Sequence, residues 1–478
     1  MTSAPSPHPI YVAGRWETSG EELEVRNPAR PGAVAGTTYL ADAGQYEAAV
    51  QGAVAAFEAG RRSAAYERGD LLRAISRGVE ARRDELARLI ALEVGKPIRD
   101  ARTEVDRTAL AFRLAAAEAE RIVGEVIPLD LIPTSKGRVG ITRRFPIGPV
   151  AAISPFNLPL GLSVHKLAPA IAAGATIVLR PPSKAPLALL TLAEIIDAAG
   201  ASTGSVSIVP MSRELGDRMV SDERFKLLTF TGSPEVGWAM KARAGKKKVV
   251  LELGGNAAAI VDRTADLDRA AVRCATGAFK FAGQLCVSIQ RLLVHQAVHE
   301  TFLERFVAQT RALRLGDPLD ETTDIGPLID ADAVARTTTW IGEAVGRGAR
   351  ILTGGTADGA FFQPTILVDV PPDARVCTEE AFAPLVIVST FDDFDAALAE
   401  ANDSRFGLQA GVFTNDLQHA WAAFDRLDVG GVIINDIPSY RIDHMPFGGV
   451  KDSGQGREGL RWAIEEMTEL KLMVVAPL

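Results

Sequence analysis

The sequence predicts an α/β fold with two parallel sheets wound with helices. From Val139 onward, short apolar runs alternate with amphipathic helices, an order typical of a nucleotide-binding sheet. A second alternating block starts near Asn256, and a chain of 478 residues is too long for a single core. The chain ends in residues 462–475, a helix that runs into an apolar strand, and such a strand is usually paired.

The individual elements follow from hydrophobic periodicity. Residues 43–93 have apolar positions three and four apart and predict two amphipathic helices, and a third helix is predicted at about 100–121. The first sheet is predicted from the strands GPVAAISP, ATIVLRP, SVSIVP and FKLLTFTG, with a helix, HKLAPAIAAG, that ends at Gly174. The second sheet is predicted from AAAIV, LLVHQ, ARILTGG, LVIVST and GVIIND.

Composition and charge exclude several classes of protein. Apolar residues make up 47% of the chain and charged residues 23%, which is ordinary for a globular protein. The net charge is −8 and the basic residues are scattered, so no nucleic-acid partner is expected. No apolar run is long enough to span a membrane, and residues 1–16 lack the basic and apolar regions of a signal peptide. We therefore expect a cytoplasmic protein.

The cysteines predict neither a disulfide framework nor a metal site. Cys274, Cys286 and Cys377 are too few and too odd in number for a framework, and none lies in a Cys-x-x-Cys pattern. Cys274 and Cys377 are interpreted as small buried hydrophobic residues. Cys286 differs because it follows Gly283 and a polar residue in FAGQLC, which suits a tight loop that presents a thiol at the start of a helix. A helix N-terminus lowers the pKa of a thiol.

Glu252 is unusual because it stands in the apolar strand VVLELGG, where an unpaired carboxylate is costly. One interpretation is an edge-strand residue or a salt bridge to a lysine such as Lys248. The other is a general base whose pKa is raised by apolar surroundings. Gly254 and Gly255 would allow backbone and ligand to approach each other closely.

Two further fragments lie between a strand and a helix. Asn157 in SPFNLP is either a turn or cap residue or an amide that donates a hydrogen bond to a developing oxyanion. In FTGSPEVG, Gly232 and Ser233 open a helix after a strand, where free backbone N–H groups bind a pyrophosphate. The Gly-x-Gly-x-x-Gly fingerprint is absent, and a simple capped helix is the alternative.

Taken together, these fragments resemble the aldehyde dehydrogenase superfamily over nearly the whole chain. The resemblance is carried by six motifs in family order: PFNLP, FTGS, LELGG, FAGQLC, EEAFAP and MPFGGVKDSGQGREG. The separation between Glu252 and Cys286 also fits that family. The resemblance implies a Rossmann-like parallel-sheet cofactor domain, a second α/β catalytic domain and a β-arm for oligomerisation. The implied boundaries are 1–121 and 143–250 for the cofactor domain, 251–440 for the catalytic domain, and 122–142 and 460–478 for the arm.

The resemblance also implies a mechanism. Cys286 would attack the aldehyde carbon and form a thiohemiacetal, with the oxyanion held by Asn157 and the backbone N–H of Cys286. Loss of hydride would leave a thioester, and Glu252 would activate water to hydrolyse it. Lys166 matches a family lysine near the catalytic pocket, with a role in proton traffic or loop support.

The cofactor implied by the resemblance is NAD or NADP. Its binding residues would be Ile153, Ser154, Phe156, Gly232, Ser233, Glu380 and Phe382. Ser183 stands where NAD-preferring members often carry a glutamate that repels a 2′-phosphate, and Arg180 and Lys184 add positive charge nearby. We therefore expect NADP to be tolerated.

The substrate implied by the resemblance is a small hydroxylated or anionic aldehyde. The tail motif and AGQLCVSIQR are similar to the branch with lactaldehyde, non-phosphorylating glyceraldehyde-3-phosphate and phosphonoaldehyde dehydrogenases. Arg113 or Arg441 would read an anion, and Arg113 is otherwise a solvated helix residue paired with Glu. Leu285 replaces an arginine that often precedes the nucleophile and argues against a doubly anionic substrate. His444 would bond a substrate hydroxyl or pack its loop.

Three other functions remain open beside this predicted one, and the resemblance also implies an oligomeric state. One alternative is a phosphonoaldehyde dehydrogenase, acting on phosphonoacetaldehyde or phosphonoformaldehyde. A second is a CoA-acylating relative, which would lack the hydrolytic base that Glu252 supplies. A third is a non-catalytic structural or binding member of the family. The arm implies a homodimer or homotetramer.

Overall fold

The computed structural model describes residues 6–477, so residues 1–5 and 478, which the predicted cofactor domain and arm include, lie outside the described residues. Within that range the chain forms fifteen α-helices: α1 (Ala43–Gly60), α2 (Ala65–Ala81), α3 (Arg83–Val94), α4 (Ile98–Ala119), α5 (Pro159–Ala173), α6 (Leu187–Ala198), α7 (Arg213–Ser221), α8 (Pro234–Arg243), α9 (Leu267–Phe279), α10 (His299–Arg311), α11 (Ala331–Gly346), α12 (Arg375–Thr378), α13 (Phe394–Asn402), α14 (Leu417–Arg426) and α15 (Leu460–Glu466).

The same residues form twenty-four strands: β1 (Ile10–Val12), β2 (Arg15–Glu17), β3 (Glu21–Arg26), β4 (Val34–Leu40), β5 (Val126–Pro128), β6 (Val139–Pro146), β7 (Val150–Ile153), β8 (Ile177–Arg180), β9 (Val206–Ile208), β10 (Leu227–Thr231), β11 (Lys248–Glu252), β12 (Ala257–Val261), β13 (Ile289–His295), β14 (Arg350–Thr353), β15 (Ala357–Asp358), β16 (Phe361–Phe362), β17 (Thr365–Val368), β18 (Leu385–Phe391), β19 (Phe406–Gly407), β20 (Gln409–Phe413), β21 (Gly431–Ile434), β22 (Val450–Lys451), β23 (Gly454–Gln455) and β24 (Thr468–Val475).

The first sheet has the strand order β2-β1-β9-β8-β7-β10-β11-β23. Its central strands, from β9 to β11, are parallel. From β7 the chain moves outward through β8 to β9, and it then returns to the other side of β7 to form β10 and β11. The strand order therefore reverses between β7 and β10. In such sheets ligands bind at the carboxyl ends of the strands beside this reversal. The predicted Rossmann-like sheet is confirmed.

The second sheet has the order β14-β17-β18-β13-β12-β20-β21, and its neighbouring strands are parallel except for the pair β14 and β17. This confirms the predicted second α/β unit. The tail of the chain does not stay with it, because β23 joins the first sheet and pairs antiparallel with β11 at Glu252.

Strands β5, β6 and β24 form a separate antiparallel sheet. Strand β6 continues to Pro146, beyond residue 142 where the predicted arm ended, and α15 packs against α5 instead of extending the arm. More than half of the surface of Leu470, Leu472 and Met473 on β24 is exposed.

The segment from Ala43 to Val94 holds three helices where two were predicted. Arg82, with φ −106° and ψ 25°, leaves the helical region and separates α2 from α3. Apolar periodicity continues on both sides of this residue, so the pattern alone does not show the break. No helix within residues 6–477 is long and apolar enough to cross a membrane.

Candidate active site

Three predicted site residues lie at neighbouring strand ends of the first sheet. Strand β7 ends at Ile153 and leads to Asn157, β10 ends at Thr231 and leads to Gly232, and β11 ends at Glu252. The backbone N–H of Gly232 donates to the carbonyl of Glu252 at 3.0 Å, which ties the last two ends together. The fold therefore brings Asn157, Gly232 and Glu252 to the reversal of strand order.

A cleft of about 500 Å³ opens over these strand ends, and we call it the strand-end cleft. Gly232 and Ser233 line it where α8 begins, so backbone N–H groups of a helix start face the cleft. Phe156, Glu380 and Phe382 line it as well. Five of the residues predicted to hold a dinucleotide therefore share one cleft.

Ile153 and Ser154 do not line the strand-end cleft, in contrast to the prediction. Ile153 is buried in the sheet between β8 and β10. The hydroxyl of Ser154 is also buried and accepts a hydrogen bond from Ser163 Oγ at 2.9 Å. Both residues support the floor of the cleft from behind.

Glu380 is held in place by its neighbours in LELGG. The backbone N–H of Gly255 donates to Glu380 Oε1 at 3.0 Å, and a Cβ added at Gly254 would lie 2.5 Å from Glu380 Oε2. Glycine is therefore required at residue 254 for the carboxyl group to reach this position. Burial raises the pKa of Glu380 to about 7. Phe382 has a φ of 49°, a backbone conformation that is strained for a bulky residue. Its ring packs edge to face with the ring of Phe156, with 6.0 Å between the two ring centroids.

Arg180 is the last residue of β8, Ser183 and Lys184 follow it, and all three lie outside the strand-end cleft. Lys184 forms an ion pair with Asp330, and Arg180 Nε donates to the carbonyl of Met211 at 3.3 Å. These contacts engage both cations within the protein. Ser183 is exposed and carries no charge.

Cys286 lies in a turn between α9 and β13, and no helix starts there. The predicted helix N-terminus is therefore wrong. Phe281 and Ala282 adopt left-handed φ values of 50° and 53°, and these reverse the chain before the thiol. Burial, then the negative charges of Glu380 and Glu252, raises the pKa of Cys286 to about 12 instead of lowering it.

Cys286 also lines a second cavity of about 290 Å³. Leu285 and Arg441, both predicted to lie at the substrate, line this cavity. Arg107, which the sequence did not single out, lines it too, and Asp443 binds its guanidinium at 2.6 and 3.2 Å. The thiol thus lies in the wall between the strand-end cleft and the second cavity.

Arg113 and His444 lie outside the second cavity, which corrects two predictions. Arg113 is exposed and forms an ion pair with Glu80 at 2.9 Å, the alternative that the sequence left open. It is six residues from Arg107 on α4, about 1.7 helical turns, and therefore points in another direction. His444 is exposed in the loop after Asp443, whose side chain points inward.

Glu252 is buried beside a cluster of charged side chains. Neither of its carboxyl oxygens has a hydrogen-bond partner within residues 6–477. Lys166 Nζ donates to Thr229 Oγ1 at 2.9 Å and to Glu458 Oε1 at 3.2 Å, and Arg441 donates to the other oxygen of Glu458 at 3.3 Å. Burial, and next the like charge of Glu458, raises the pKa of Glu252 well above its ordinary value.

Glu458 belongs to the tail motif GQGREG but was not predicted as a site residue. Burial alone would raise its pKa, but Lys166, Arg441 and His165 outweigh burial and lower the pKa to about 2. Glu458 is therefore the member of the pair that ionises more readily, and Glu252 is the member that retains a proton more readily. Lys166, predicted near the catalytic pocket, lines neither the strand-end cleft nor the cavity of Arg441, but it belongs to this buried cluster through its ion pair with Glu458.

A buried ion pair holds Asn157 from behind. Lys96 Nζ donates to the carbonyl of Asn157 at 2.7 Å and pairs with Glu104. One oxygen of Glu104 accepts from the backbone N–H groups of Leu160 and Gly161, each at 3.0 Å, at the start of α5. These contacts fix the turn that carries Asn157, and they join residues too far apart in the sequence to be predicted.

The amide of Asn157 and the thiol loop are linked through Gln284. Asn157 Nδ2 donates to the carbonyl of Gln284 at 3.0 Å, and Gln284 Oε1 accepts from the backbone N–H of Ile329 at 2.9 Å. An amide nitrogen carries two hydrogens, so one remains for a group in the strand-end cleft, which Asn157 lines. Gly255, like Gly254, leaves no room for a side chain, because a Cβ at residue 255 would collide with the carbonyl oxygen of Cys286.

The wound sheet, the cleft at its reversal and a half-buried thiol near a buried carboxyl of raised pKa define a dinucleotide-dependent enzyme that works through a thiol. The sequence matches the model of the aldehyde dehydrogenase family over residues 16–473. The chain therefore belongs to the aldehyde dehydrogenase family, and it is an NAD(P)-dependent aldehyde dehydrogenase. The predicted family and enzyme class are confirmed, and the non-catalytic alternative is wrong.

Several relatives are similar over almost the whole chain. The 3-sulfolactaldehyde dehydrogenase of Priestia aryabhattai is 42% identical over 469 residues, covering 98% of this chain and 97% of that protein. Aldehyde dehydrogenase 21 of Physcomitrella patens, solved with the reaction product succinate, is 44% identical with a TM-score of 0.97 and 99% of each chain covered. A glyceraldehyde-3-phosphate dehydrogenase of Methanocaldococcus jannaschii complexed with NADP is 38% identical, with a TM-score of 0.92 and coverage of 96% and 99%.

Proposed function

We propose that the protein oxidises a short aldehyde with one negative charge, a carboxylate or a sulfonate, to the corresponding carboxylic acid. The observation that carries this proposal is the guanidinium of Arg441, which lines the second cavity beside Cys286. Its Nε is buried and has no hydrogen-bond partner among residues 6–477. An anionic group on the substrate would supply that partner.

Arg441 is the cation in this cavity whose charge is only partly balanced. Its carboxylate partner, Glu458, is shared with Lys166, and the pKa of the nearby Glu252 is raised well above its ordinary value, which disfavours a second negative charge there. The other cations of the cavity each have their own carboxylate: Arg107 with Asp443, Arg273 with Asp436, Lys280 with Asp100, and Lys96 with Glu104. One excess positive charge matches a monoanion better than a dianion, and Leu285 supplies no second charge.

The relatives support the same substrate class. One is named for 3-sulfolactaldehyde and another was solved with succinate, both of which carry an anionic group. Neither name refers to a phosphonoaldehyde, and that alternative is set aside.

The thiol and the amide carry out the first step. Cys286 attacks the aldehyde carbon from the wall between the two cavities, the thiol proton passes to solvent in the strand-end cleft, and the carbonyl oxygen becomes the oxyanion of a thiohemiacetal. The free hydrogen of Asn157 Nδ2 then donates to the oxygen as its negative charge develops. Lys96 and Glu104 hold Asn157 in this orientation, so little reorganisation is needed.

The buried carboxyl carries out the hydrolytic step. Glu252 must be ionised before it can take a proton from water, so any proton it carries is first lost to solvent in the strand-end cleft, which Glu252 lines. The activated water hydrolyses the thioester on Cys286 and releases the acid. This role of Glu252 favours hydrolysis over transfer to CoA.

The strand-end cleft fits NAD(P). The helix start at Gly232 and Ser233 would hold the pyrophosphate, and Glu380, Phe382 and Phe156 would surround the nicotinamide riboside. When bound, NAD(P) accepts the hydride that the oxidation releases. The glycine at residue 254 keeps Glu380 in reach of this group.

We further propose that the enzyme is a homodimer or homotetramer in the cytoplasm. The apolar side chains that β24 exposes would be covered by a second copy of the chain. Cys274, Cys286 and Cys377 are all unpaired, as is usual in a reducing compartment.

The test compares Arg441→Gln with the wild type on succinic semialdehyde and on butanal, which have the same chain length. Losing a charged contact should lower kcat/KM for succinic semialdehyde by roughly 10- to 100-fold, since such hydrogen bonds contribute about 1.5–3 kcal/mol. If the substitution acted through Glu252 instead, kcat/KM would fall by the same factor for both aldehydes. Arg113→Gln, at an exposed arginine, is the matched control. Equal losses on the two aldehydes would refute anion recognition by Arg441.

A further inference from the structure

His165 lines the second cavity, and the mechanism above does not use it. It lies on α5 directly before Lys166, and its side chain is only 3% exposed. Its Nδ1 atom is buried and has no hydrogen-bond partner within residues 6–477. An unpaired polar atom in such a place is costly unless a ligand pairs with it.

The other ring nitrogen determines what Nδ1 can do. His165 Nε2 lies 3.1 Å from Asp443 Oδ1, and Arg107 binds both oxygens of the same carboxylate. Burial alone would raise the pKa of Asp443, but the hydrogen bonds from His165 and Arg107 outweigh it and hold the pKa well below its usual range. An ionised carboxylate only accepts hydrogen bonds, so Nε2 carries a hydrogen.

The imidazole is neutral at physiological pH. Burial, and then the positive charge of Arg441, lowers the pKa of His165 despite the contact with Asp443. A neutral imidazole has one hydrogen, and Nε2 holds it. Nδ1 therefore presents a lone pair and is a hydrogen-bond acceptor.

We propose that His165 Nδ1 accepts a hydrogen bond from a hydroxyl group of the substrate, so that the enzyme selects hydroxyaldehydes that also carry an anionic group. This inference rests on the proposed function, which places the anion at Arg441. A hydroxyl donates to Nδ1 without bringing a charge. A substrate ammonium would also donate, but the positive charge of Arg441 next to His165 disfavours it.

The ring is well suited to such selection because it is fixed before the substrate binds. Asp443 orients the imidazole, Arg107 fixes Asp443, and all three side chains line the same cavity as Cys286. A site with a buried, oriented acceptor discriminates against an analogue that lacks the hydroxyl, since the acceptor then stays unpaired.

Two pairs of aldehydes test the inference: 3-sulfolactaldehyde with 3-sulfopropanal, and lactaldehyde with propanal. Each pair differs by one hydroxyl, and the measured quantity is the ratio of kcat/KM within the pair. We expect the wild type to favour the hydroxylated member by about tenfold, the discrimination of one hydrogen bond to a buried group.

His165→Gln keeps a donor near the position of Nε2 and removes the acceptor at Nδ1, so its ratio should fall toward one. His165→Asn places an amide near Nδ1 and should retain more of the ratio than His165→Gln. Arg113→Gln is the control and should leave the ratio unchanged. Because each ratio is taken within one variant, partial loss of active protein cancels.

A wild-type ratio near one, or an equal ratio in the wild type and His165→Gln, would overturn the inference. If His165→Gln does not fold, a wild-type ratio near one still overturns the inference. The anion preference is measured separately, across the two pairs, so its failure would refute the proposed function while leaving the hydroxyl ratio to be judged by itself.

Discussion

Replacing Glu104 by glutamine should destabilise the protein strongly although the change adds no bulk. Glu104 and Lys96 are both almost fully buried. The glutamine oxygen can still accept from the N–H groups of Leu160 and Gly161, but its NH₂ group would face the ammonium of Lys96. That ammonium would keep only the carbonyl of Asn157 as a partner.

The magnitude follows from removing one member of a buried ion pair. Such a loss costs about 3–5 kcal/mol, because the remaining charge is left uncompensated in a medium of low dielectric constant. For a domain of 150–250 residues each kcal/mol lowers Tm by about 2–4 °C, so the expected decrease is roughly 6–20 °C. Burial already lowers the pKa of Lys96, and loss of the carboxylate would favour its neutral form further.

The assay is thermal unfolding at one scan rate, followed by calorimetry, with Glu80→Gln as the matched control. Glu80 pairs with Arg113 on the surface of the same helical region, and an exposed pair contributes only about 0–1 kcal/mol. If Glu104→Gln and Glu80→Gln lower Tm by the same few degrees, the buried pair does not hold the turn at Asn157 as described.

Two further predictions concern the thiol and the cofactor. Alkylation of Cys286 by iodoacetamide in the cofactor-free enzyme should accelerate about tenfold per pH unit from pH 7 to 10, because only the thiolate reacts and burial raises the thiol pKa to about 12. The background rate is measured with Cys286→Ala and subtracted. A corrected rate that levels off by pH 8 would contradict the raised pKa. Ser183→Glu should lower the ratio of kcat/KM for NADP to kcat/KM for NAD on the order of tenfold, because the new carboxylate would repel the 2′-phosphate. The uncharged Ser183→Gln is the control and should leave this ratio unchanged. Equal ratios in the two variants would show that residue 183 does not face the phosphate.

The fold was largely predictable because local patterns determine it. Strands β7 and β12 are continuous apolar runs, the pattern of strands that a parallel sheet buries on both faces. Gly174, with φ 82°, ends α5 where the sequence predicts. The break at Arg82 was missed because it leaves the apolar pattern intact.

The site was predictable where motifs carry it and not where tertiary contacts do. Cys286, Glu252 and Asn157 lie in short motifs whose order identifies the family. Arg107 was missed because its partner, Asp443, is far away in the sequence, and nothing local separates it from Arg113. The raised thiol pKa was likewise invisible, since it results from burial against Glu380 and Glu252.

The position of Cys286 between two cavities has a consequence for the order of events. If the proposed function holds, the dinucleotide would fill the strand-end cleft and the aldehyde the second cavity, so neither would block the path of the other. We therefore expect the acid to leave through one opening while the reduced dinucleotide still occupies the other. Because Cys286 lines both cavities, an electrophile could approach its sulfur through either one. Full protection of the enzyme against inactivation by such a reagent should therefore require ligands in the strand-end cleft and in the second cavity at the same time.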